Sequence, residues 1–285
     1  MMKIFVEGWW HHKNRNGIQL MINEGLDVDF QSNHLEKYDC IISLSEFKKY
    51  NHDGIILYGP HISLDIVLEK VSFLDSNCFI NLLSDWNVNL ANSIVNSNNY
   101  LALPFAVDVD KFTPKIKKGK PVLYFKQVDY DWLLSVKSGI KEEFIFFDYS
   151  NGYSENEFLD AISMAPFAIW IGRHESQGFA FQETLSCNTP LFVIDVSSMR
   201  DEVLSNQTRP WNNFKTENPL KATSASYFDN NCGLISNINN WKQDFEIFRE
   251  RINYYSPREF IVKNLSPKSC VQLWTDNLYK IKNLI

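Results

Sequence analysis

Cysteine is scarce and scattered: the chain of 285 residues has five, Cys40, Cys78, Cys187, Cys232 and Cys270. An odd number with no CxxC pair excludes a disulfide framework and a cysteine zinc site, and it favours a reducing compartment. No run of about 18 apolar residues occurs, so no membrane-spanning helix is expected. The opening Met1-Met2-Lys3-Ile4-Phe5-Val6-Glu7 meets a charge too early for a signal peptide. A cytoplasmic protein is therefore the expectation, with a peripheral membrane contact left open. Positive charge is also short, because 28 Lys and Arg stand against 34 Asp and Glu for a net charge of -6. That balance argues against a nucleic-acid partner, which needs clustered cations. The one basic stretch, residues 115–120, contains Gly119 and reads as a solvated linker. No internal repeat is seen.

Apolar material, by contrast, is ample. Hydrophobic residues make up 45% and aromatics 14%, against 22% charged, an ordinary globular balance. The length suits two lean domains. Short apolar runs at residues 3–7, 39–44, 54–58 and 78–82 alternate with helix-length amphipathic stretches. A second series follows at 121–125, 143–147, 167–171 and 191–194. That rhythm predicts an α/β fold with parallel sheets, divided near residues 113–119. Helix starts are marked at Ser154, with Glu157 three residues on, and at Ser256-Pro257-Arg258-Glu259. In the tail, Cys270, Leu273, Trp274, Leu278 and Ile281 recur at helical spacing and predict a terminal amphipathic helix.

The most informative segment is residues 167–194. Phe167-Ala-Ile-Trp-Ile171 reads as a buried strand, 172–177 as a polar loop, and 178–187 as a helix. Asn188 suits a left-handed position beyond the helix end, Pro190 forbids continuation, and Leu191-Phe-Val-Ile194 is the next strand. In such a βαβ unit the loop at the strand's carboxyl end and the following helix N-terminus form a ligand crevice that favours anions. Gly178 allows close approach of a ligand to the backbone. Glu175 and Glu183 can address hydroxyl groups of one ligand from different sides, which fits a polyhydroxylated anion such as a sugar diphosphate.

The run from Glu175 through Glu183 to Asn188-Thr189-Pro190 resembles the E-x7-E motif of the family 4 retaining glycosyltransferases, with Asn188 where a Gly is usual. Leu103-Pro-Phe-Ala-Val-Asp108-Val-Asp110-Lys-Phe112-Thr-Pro114 is similar to the segment that closes the N-terminal domain of these enzymes. Ser84-Asp-Trp looks like their preceding helix start, with Ser84 a candidate N-cap. Ser226-Tyr-Phe-Asp-Asn-Asn-Cys232-Gly233 resembles a segment of some small members, with Cys232 packing rather than acting as a nucleophile.

The resemblance implies a GT-B fold: two Rossmann-like domains facing a cleft, with a reduced N-terminal acceptor-side domain at residues 1–113. The nucleotide-sugar-binding domain would span 119–265, and a helix at 266–285 would pack back across the cleft. It implies transfer of a sugar from a nucleoside diphosphate sugar, UDP- or GDP-linked, to a hydroxyl of a glycan or lipid-linked acceptor, with retention at the anomeric carbon and no metal required. Glu175 would be the catalytic residue beside the donor sugar. Residues Gln177, Gly178, Phe179 and Ala180 would offer backbone amides, and Glu183 would bind the ribose.

Arg173, His174 and Ser176 share that loop. Lys126, ending the strand Val122-Leu-Tyr-Phe-Lys126, is the first candidate for the donor phosphates, with Arg173 the second, although the Gly-Arg ending of many members is missing. Tyr149 and Tyr153 lie where a base could stack. On the acceptor side the candidates are Trp10, His11, Asn16 and Gly17 after the first strand, and His61 in Tyr58-Gly-Pro-His61. Aromatic rings stack on sugar C–H faces, while Asn and His reach hydroxyls. Triplets of the D-x-D type at Asp27, Asp108 and Asp129 are too frequent to mark a metal site. Two alternatives stay open: a GT-B epimerase or hydrolase of nucleotide sugars, and a non-catalytic nucleotide-sugar or carbohydrate binder.

Overall fold

The computed structural model describes residues 2–202 and 220–285, and these divide into two α/β units, each built on a parallel sheet. The first unit comprises Met1–Ala106 with Asn264–Ile285, and the second comprises Val107–Lys263.

In the first unit the elements run β1 (Lys3–Glu7), α1 (His12–Asn23), β2 (Asp27–Asp29), β3 (Cys40–Ser43), β4 (Ile55–Tyr58), α2 (Leu64–Lys70), β5 (Cys78–Asn81), α3 (Asp85–Ile94) and β6 (Tyr100–Leu101). The strands lie in the order β2-β1-β3-β4-β5-β6 and are all parallel. β3, β4 and β5 are buried at every position, as continuous apolar runs covered on both faces must be.

The second unit continues with β7 (Val122–Lys126), α4 (Tyr130–Gly139), β8 (Ile145–Asp148), α5 (Glu155–Met164), β9 (Ala168–Gly172), α6 (Phe179–Ser186), β10 (Leu191–Ile194), β11 (Gly233–Ser236), α7 (Trp241–Glu250) and α8 (Pro257–Leu265), the last running into the first unit's segment. Its strand order is β11-β10-β9-β7-β8, again parallel throughout. One core gathers Leu123, Phe125, Ile169, Ile171, Phe192 and Ile194 from the strands with Leu133 and Val136 of α4 and Phe245 and Phe248 of α7.

The terminal helix α9 (Pro267–Lys282) belongs to the first unit, where it packs on α1 and β4. Cys270, Trp274, Leu278 and Ile281 are its buried side chains. The Trp274 indole donates to Pro104 O at 2.8 Å, and Lys282 pairs with Asp39 at 2.5 Å.

All eight strands expected from the apolar runs are present within a residue or two at each end. Three more were not legible: β2, with two aspartates in three residues, the two-residue β6, and the short β11. Each is an edge strand, and edge strands are commonly short or charged.

The division falls at Ala106 rather than near residue 113 for a visible reason. Arg258, the first residue after Pro257 in α8, donates to Val109 O and Phe112 O at 2.9 Å each and to Ser186 O at 2.8 Å. Ser186 Oγ also donates to Phe112 O at 2.7 Å, so the 107–112 segment is stitched to the second unit.

Two local expectations are corrected. The basic stretch 115–120 is not a solvated linker throughout, because the Lys117 ammonium donates to Thr189 Oγ1 at 2.5 Å, Cys187 O at 2.8 Å and Ser163 O at 3.1 Å. It thus supplies donors to carbonyls left over at the ends of α5 and α6, and burial pushes its pKa down to about 8. Ser84 stands at the N-cap position of α3, yet its hydroxyl makes no capping bond and is buried without a partner.

Candidate functional site

The site is assembled at the carboxyl ends of β7 and β9. Lys126 and Gly172 are register partners there, and the chain leaves β9 through residues 173–178 before entering α6. Gly178 takes φ 83, ψ 60 at the helix N-cap, a left-handed conformation that glycine adopts without steric cost. A Cβ there would also stand 3.2 Å from Glu175 Cβ. At the other end of α6, Asn188 has φ 53. Its N–H donates to Leu185 O at 2.9 Å and the Thr189 N–H to Thr184 O at 3.3 Å, the two bonds that close a helix with a left-handed residue. The sequence reading of Asn188 as a glycine substitute is thereby explained in backbone terms.

Glu175 reaches back across the strand ends to form an ion pair with Lys126, and both side chains are largely withdrawn from solvent. The Lys126 ammonium also lies 4.3 Å from the centre of the Tyr149 ring, within cation–π range. Glu183, on α6, is buried. Both carboxylates are close enough to the Tyr153 phenol to raise its pKa, which burial first of all pushes up to about 12. Tyr153 sits 3.3 Å from the Tyr124 hydroxyl, and Tyr124 stacks on Trp170 with ring centres 3.8 Å apart. The structure therefore brings Lys126, Glu175 and Tyr149 into direct contact, with Tyr153 near enough to both Glu175 and Glu183 to feel their charge.

The remaining loop residues have distinct surroundings. Arg173 donates its backbone N–H to Lys126 O at 2.9 Å, and its Nε is buried without a partner. Glu202 accepts from the His174 backbone N–H at 3.0 Å and also bonds the ring Nδ1. Ser176 is exposed. Gln177 is buried with its carboxamide on Gln182 Oε1 at 3.2 Å. Phe179 and Ala180, half-buried, open α6, and first-turn amides have no acceptor within a helix.

Sequence reasoning missed Asp195. It ends the apolar run of β10, at the strand terminus where α/β sheets carry ligand-site residues, and that position was its only signal. Its carboxylate accepts from Thr223 Oγ1 at 2.5 Å, from the Ser224 N–H at 2.6 Å and from Ser224 Oγ at 2.7 Å. Burial raises its pKa despite those bonds. Ser226, in turn, donates its hydroxyl to Glu175 O, and Glu175 N–H donates to Thr223 O at 3.1 Å.

The Cys232-Gly233 pair also finds its reason. Gly233 has φ 142, and a Cβ there would stand 2.0 Å from Leu191 O, so only glycine can open β11. Cys232 is fully buried and burial raises its thiol pKa.

In the first unit, Gly8, residues 44–45 and residues 59–61 follow the ends of β1, β3 and β4. His61 Nε2 accepts the His11 backbone N–H at 3.3 Å, which fixes the tautomer with hydrogen on Nδ1. Burial, and then the charge of His11, pushes the His61 pKa down to about 4. The Trp9 ring lies edge-on to His61 at 5.0 Å. Trp10 packs against Phe30 at 5.7 Å and Phe105 at 6.3 Å. His11 and Asn16 are exposed. Gly17 is buried, and a Cβ on it would meet Phe105 Cβ and Ala106 O at 2.8 Å, so its missing side chain serves the packing of α1.

Among the described residues no three His, Cys, Asp or Glu side chains come together as a metal site. The D-x-D aspartates have local partners: Asp29 accepts the Tyr38 hydroxyl at 2.9 Å, Asp108 the Lys111 N–H at 2.8 Å, and Asp129 the Asp131 N–H at 2.9 Å. A groove of about 590 Å³ is lined by residues 139–142, which lead from α4 into the amino end of β8, and by α7 from Trp241 to Arg249, with Arg249 already paired to Glu142. Ligands of open parallel sheets bind at the opposite ends. Among the described residues no helix is long and apolar enough to cross a membrane.

No protein-family model and no curated sequence matches the chain. Solved structures do. The chain is similar to the lipopolysaccharide outer core galactosyltransferase WaaB in its apo form, with TM-score 0.62 and 11% identity over 98% of this chain and 99% of that one. It is also similar to a sucrose-phosphate synthase from Thermosynechococcus elongatus, with TM-score 0.58 and 11% identity over 98% of each chain. A glycosyltransferase involved in Avilamycin A biosynthesis superposes with TM-score 0.59 at 8% identity over 100% of this chain and 99% of that one. The fold is accordingly α/β of the GT-B type.

Proposed function

We propose that the chain is a glycosyltransferase of the family 4 type, moving a sugar from a UDP- or GDP-sugar to a hydroxyl of a glycan or lipid-linked acceptor with retention. The observation that carries this reading is the Glu175–Lys126 ion pair at the strand ends, with Glu183 on α6 at the E-x7-E spacing and near enough to influence Tyr153. The second unit is the donor side and the first the acceptor side.

In the reaction, the bond from the anomeric carbon to the diphosphate breaks and negative charge develops on the leaving group. Stabilising that charge is the main task of such a site, and preorganised donors do it best. The first-turn amides of α6, its dipole, Lys126 and Arg173 are the groups suited to this work. Arg173 carries an unpartnered buried Nε, whereas Lys126 must exchange Glu175 for the ligand. Glu175 addresses the sugar and Glu183 the ribose. No metal is needed for charge neutralisation in this scheme. In the first unit, Trp10, His11, Asn16 and His61 are the acceptor candidates, with Gly17 as the packing residue that positions α1. The galactosyltransferase and synthase activities named for the similar structures agree with sugar transfer as the class.

A non-catalytic binder is the second reading, favoured by one observation: the cation at the end of β7 is already paired with an internal carboxylate. Incubation of the protein with a UDP- or GDP-sugar and a panel of glycan acceptors, followed by product analysis, separates the cases. Transfer yields a glycosylated acceptor with retained configuration. Free sugar or an epimerised donor without acceptor dependence points to hydrolase or epimerase chemistry, and an unchanged bound donor points to a binder.

A further inference from the structure

We propose that Asp195 is a positioning residue for Glu175, acting through the segment 223–226; the inference rests on the reading of Glu175 as the residue beside the transferred sugar.

The loop that carries Glu175 has no regular structure of its own between β9 and α6, so its backbone groups need partners from elsewhere. Two of them come from one short segment. Glu175 N–H donates to Thr223 O at 3.1 Å, and Ser226 donates its hydroxyl to Glu175 O. Both main-chain polar groups of Glu175 are thus held by residues three apart in sequence. Phe228, just beyond, packs its ring 5.8 Å from Phe181 of α6.

That segment is itself anchored to Asp195. Oδ2 accepts from Thr223 Oγ1 at 2.5 Å, while Oδ1 accepts from Ser224 N–H at 2.6 Å and from Ser224 Oγ at 2.7 Å. A carboxylate has about four lone-pair positions, and three are taken by donors of the 223–224 turn. The carboxylate is thus committed chiefly to holding that turn. Thr223 Oγ1 also accepts the Ala225 N–H at 3.0 Å, which ties the turn into a single unit. The chain of bonds therefore runs from the end of β10, through Asp195 and the turn, to the main chain of Glu175 and so to its pair with Lys126.

An asparagine at 195 keeps the shape but turns one acceptor into a donor, which must face either the Thr223 hydroxyl or the donors of Ser224. In the full-length Asp195→Asn protein, hydrogen exchange of the Glu175 amide is expected to rise about tenfold while β7 and α5 keep wild-type rates. With the UDP- or GDP-sugar that wild type turns over, kcat is expected to fall about tenfold while affinity for UDP or GDP changes less than about threefold. Ser224→Ala, which removes one of the donors, should show the same pattern at smaller size and serves if Asp195→Asn fails to fold. An unchanged Glu175 exchange rate, or an equal rise throughout the chain, overturns the inference. So does an equal loss of kcat and nucleotide affinity, which marks a merely structural role. If wild type turns over no nucleoside diphosphate sugar, the proposed function falls instead, and the exchange rates alone decide the role of Asp195.

Discussion

The Lys126 ammonium and the Glu175 carboxylate, 49 residues apart in sequence, form an ion pair at the adjoining ends of β7 and β9, with 9% and 14% of their side chains exposed. A buried pair is costly to break from one side, because the remaining charge loses its partner without regaining water. Glu175→Gln is therefore expected to lower stability by about 1–3 kcal/mol in chemical denaturation. Sugar transfer should disappear while the circular dichroism spectrum stays native. Full turnover in that variant contradicts the catalytic assignment.

Glu183 is buried on α6 and close enough to influence Tyr153. If it grips the ribose, Glu183→Gln weakens UDP or GDP binding by about 1–3 kcal/mol, about 5- to 150-fold in Kd, in calorimetric titration. Wild-type affinity in the variant refutes that role.

Asn188 occupies a left-handed position at φ 53 and accepts the Arg258 N–H at 3.3 Å. Most other L-residues pay about 1–2 kcal/mol for this conformation. Asn188→Val should destabilise the protein by at least that amount, and Asn188→Gly by less, in a denaturant series. Equal losses would show that the hydrogen bond to Arg258, and not the backbone conformation, sets the cost.

His61 links stability to pH with a definite sign. Its pKa falls from 6.5 to about 4 on folding, because burial disfavours the imidazolium and the Nε2 lone pair already accepts the His11 N–H. Between those values the unfolded chain binds a proton that the folded chain refuses. The stability contributed by neutral His61 is thus fully present above about pH 6.5 and declines as the pH falls toward 4. Measured at pH 7 and pH 5, the stability of wild type should drop by more than that of His61→Gln. Equal drops would place the histidine's titration at its ordinary value.

Much of the fold was legible because central strands of parallel sheets must be apolar on both faces, and the eight runs so identified are strands. Among the described residues three of the four edge strands escaped, β8 being the exception: Asp27-Val28-Asp29 carries no apolar pattern, and none of its side chains is buried. The strand, loop and helix around Glu175 could be read because Gly178, Asn188 and Pro190 are backbone signals, confined to a few residues. What could not be read depended on distant partners. Nothing near Lys126 in sequence announces Glu175 as its counter-ion, and the bond from Thr223 to Asp195 joins residues 28 apart. The left-handed Gln127, φ 51, directly after Lys126, likewise stands where the resemblance offered a Gly-Arg ending, and glutamine is no signal for that backbone conformation.

The proposed donor site lies between β7, β9 and α6, and its most direct trial is a thermal-shift panel of UDP- and GDP-sugars on wild type and Glu183→Gln. A ligand that binds only the folded state at 100 times its Kd adds about 2.7 kcal/mol of stability. At least one nucleoside diphosphate sugar should raise the transition of wild type and lose most of that effect in the variant. Absence of any shift at millimolar donor, or a shift that survives the loss of the Glu183 charge undiminished, contradicts a donor site gripped by Glu183.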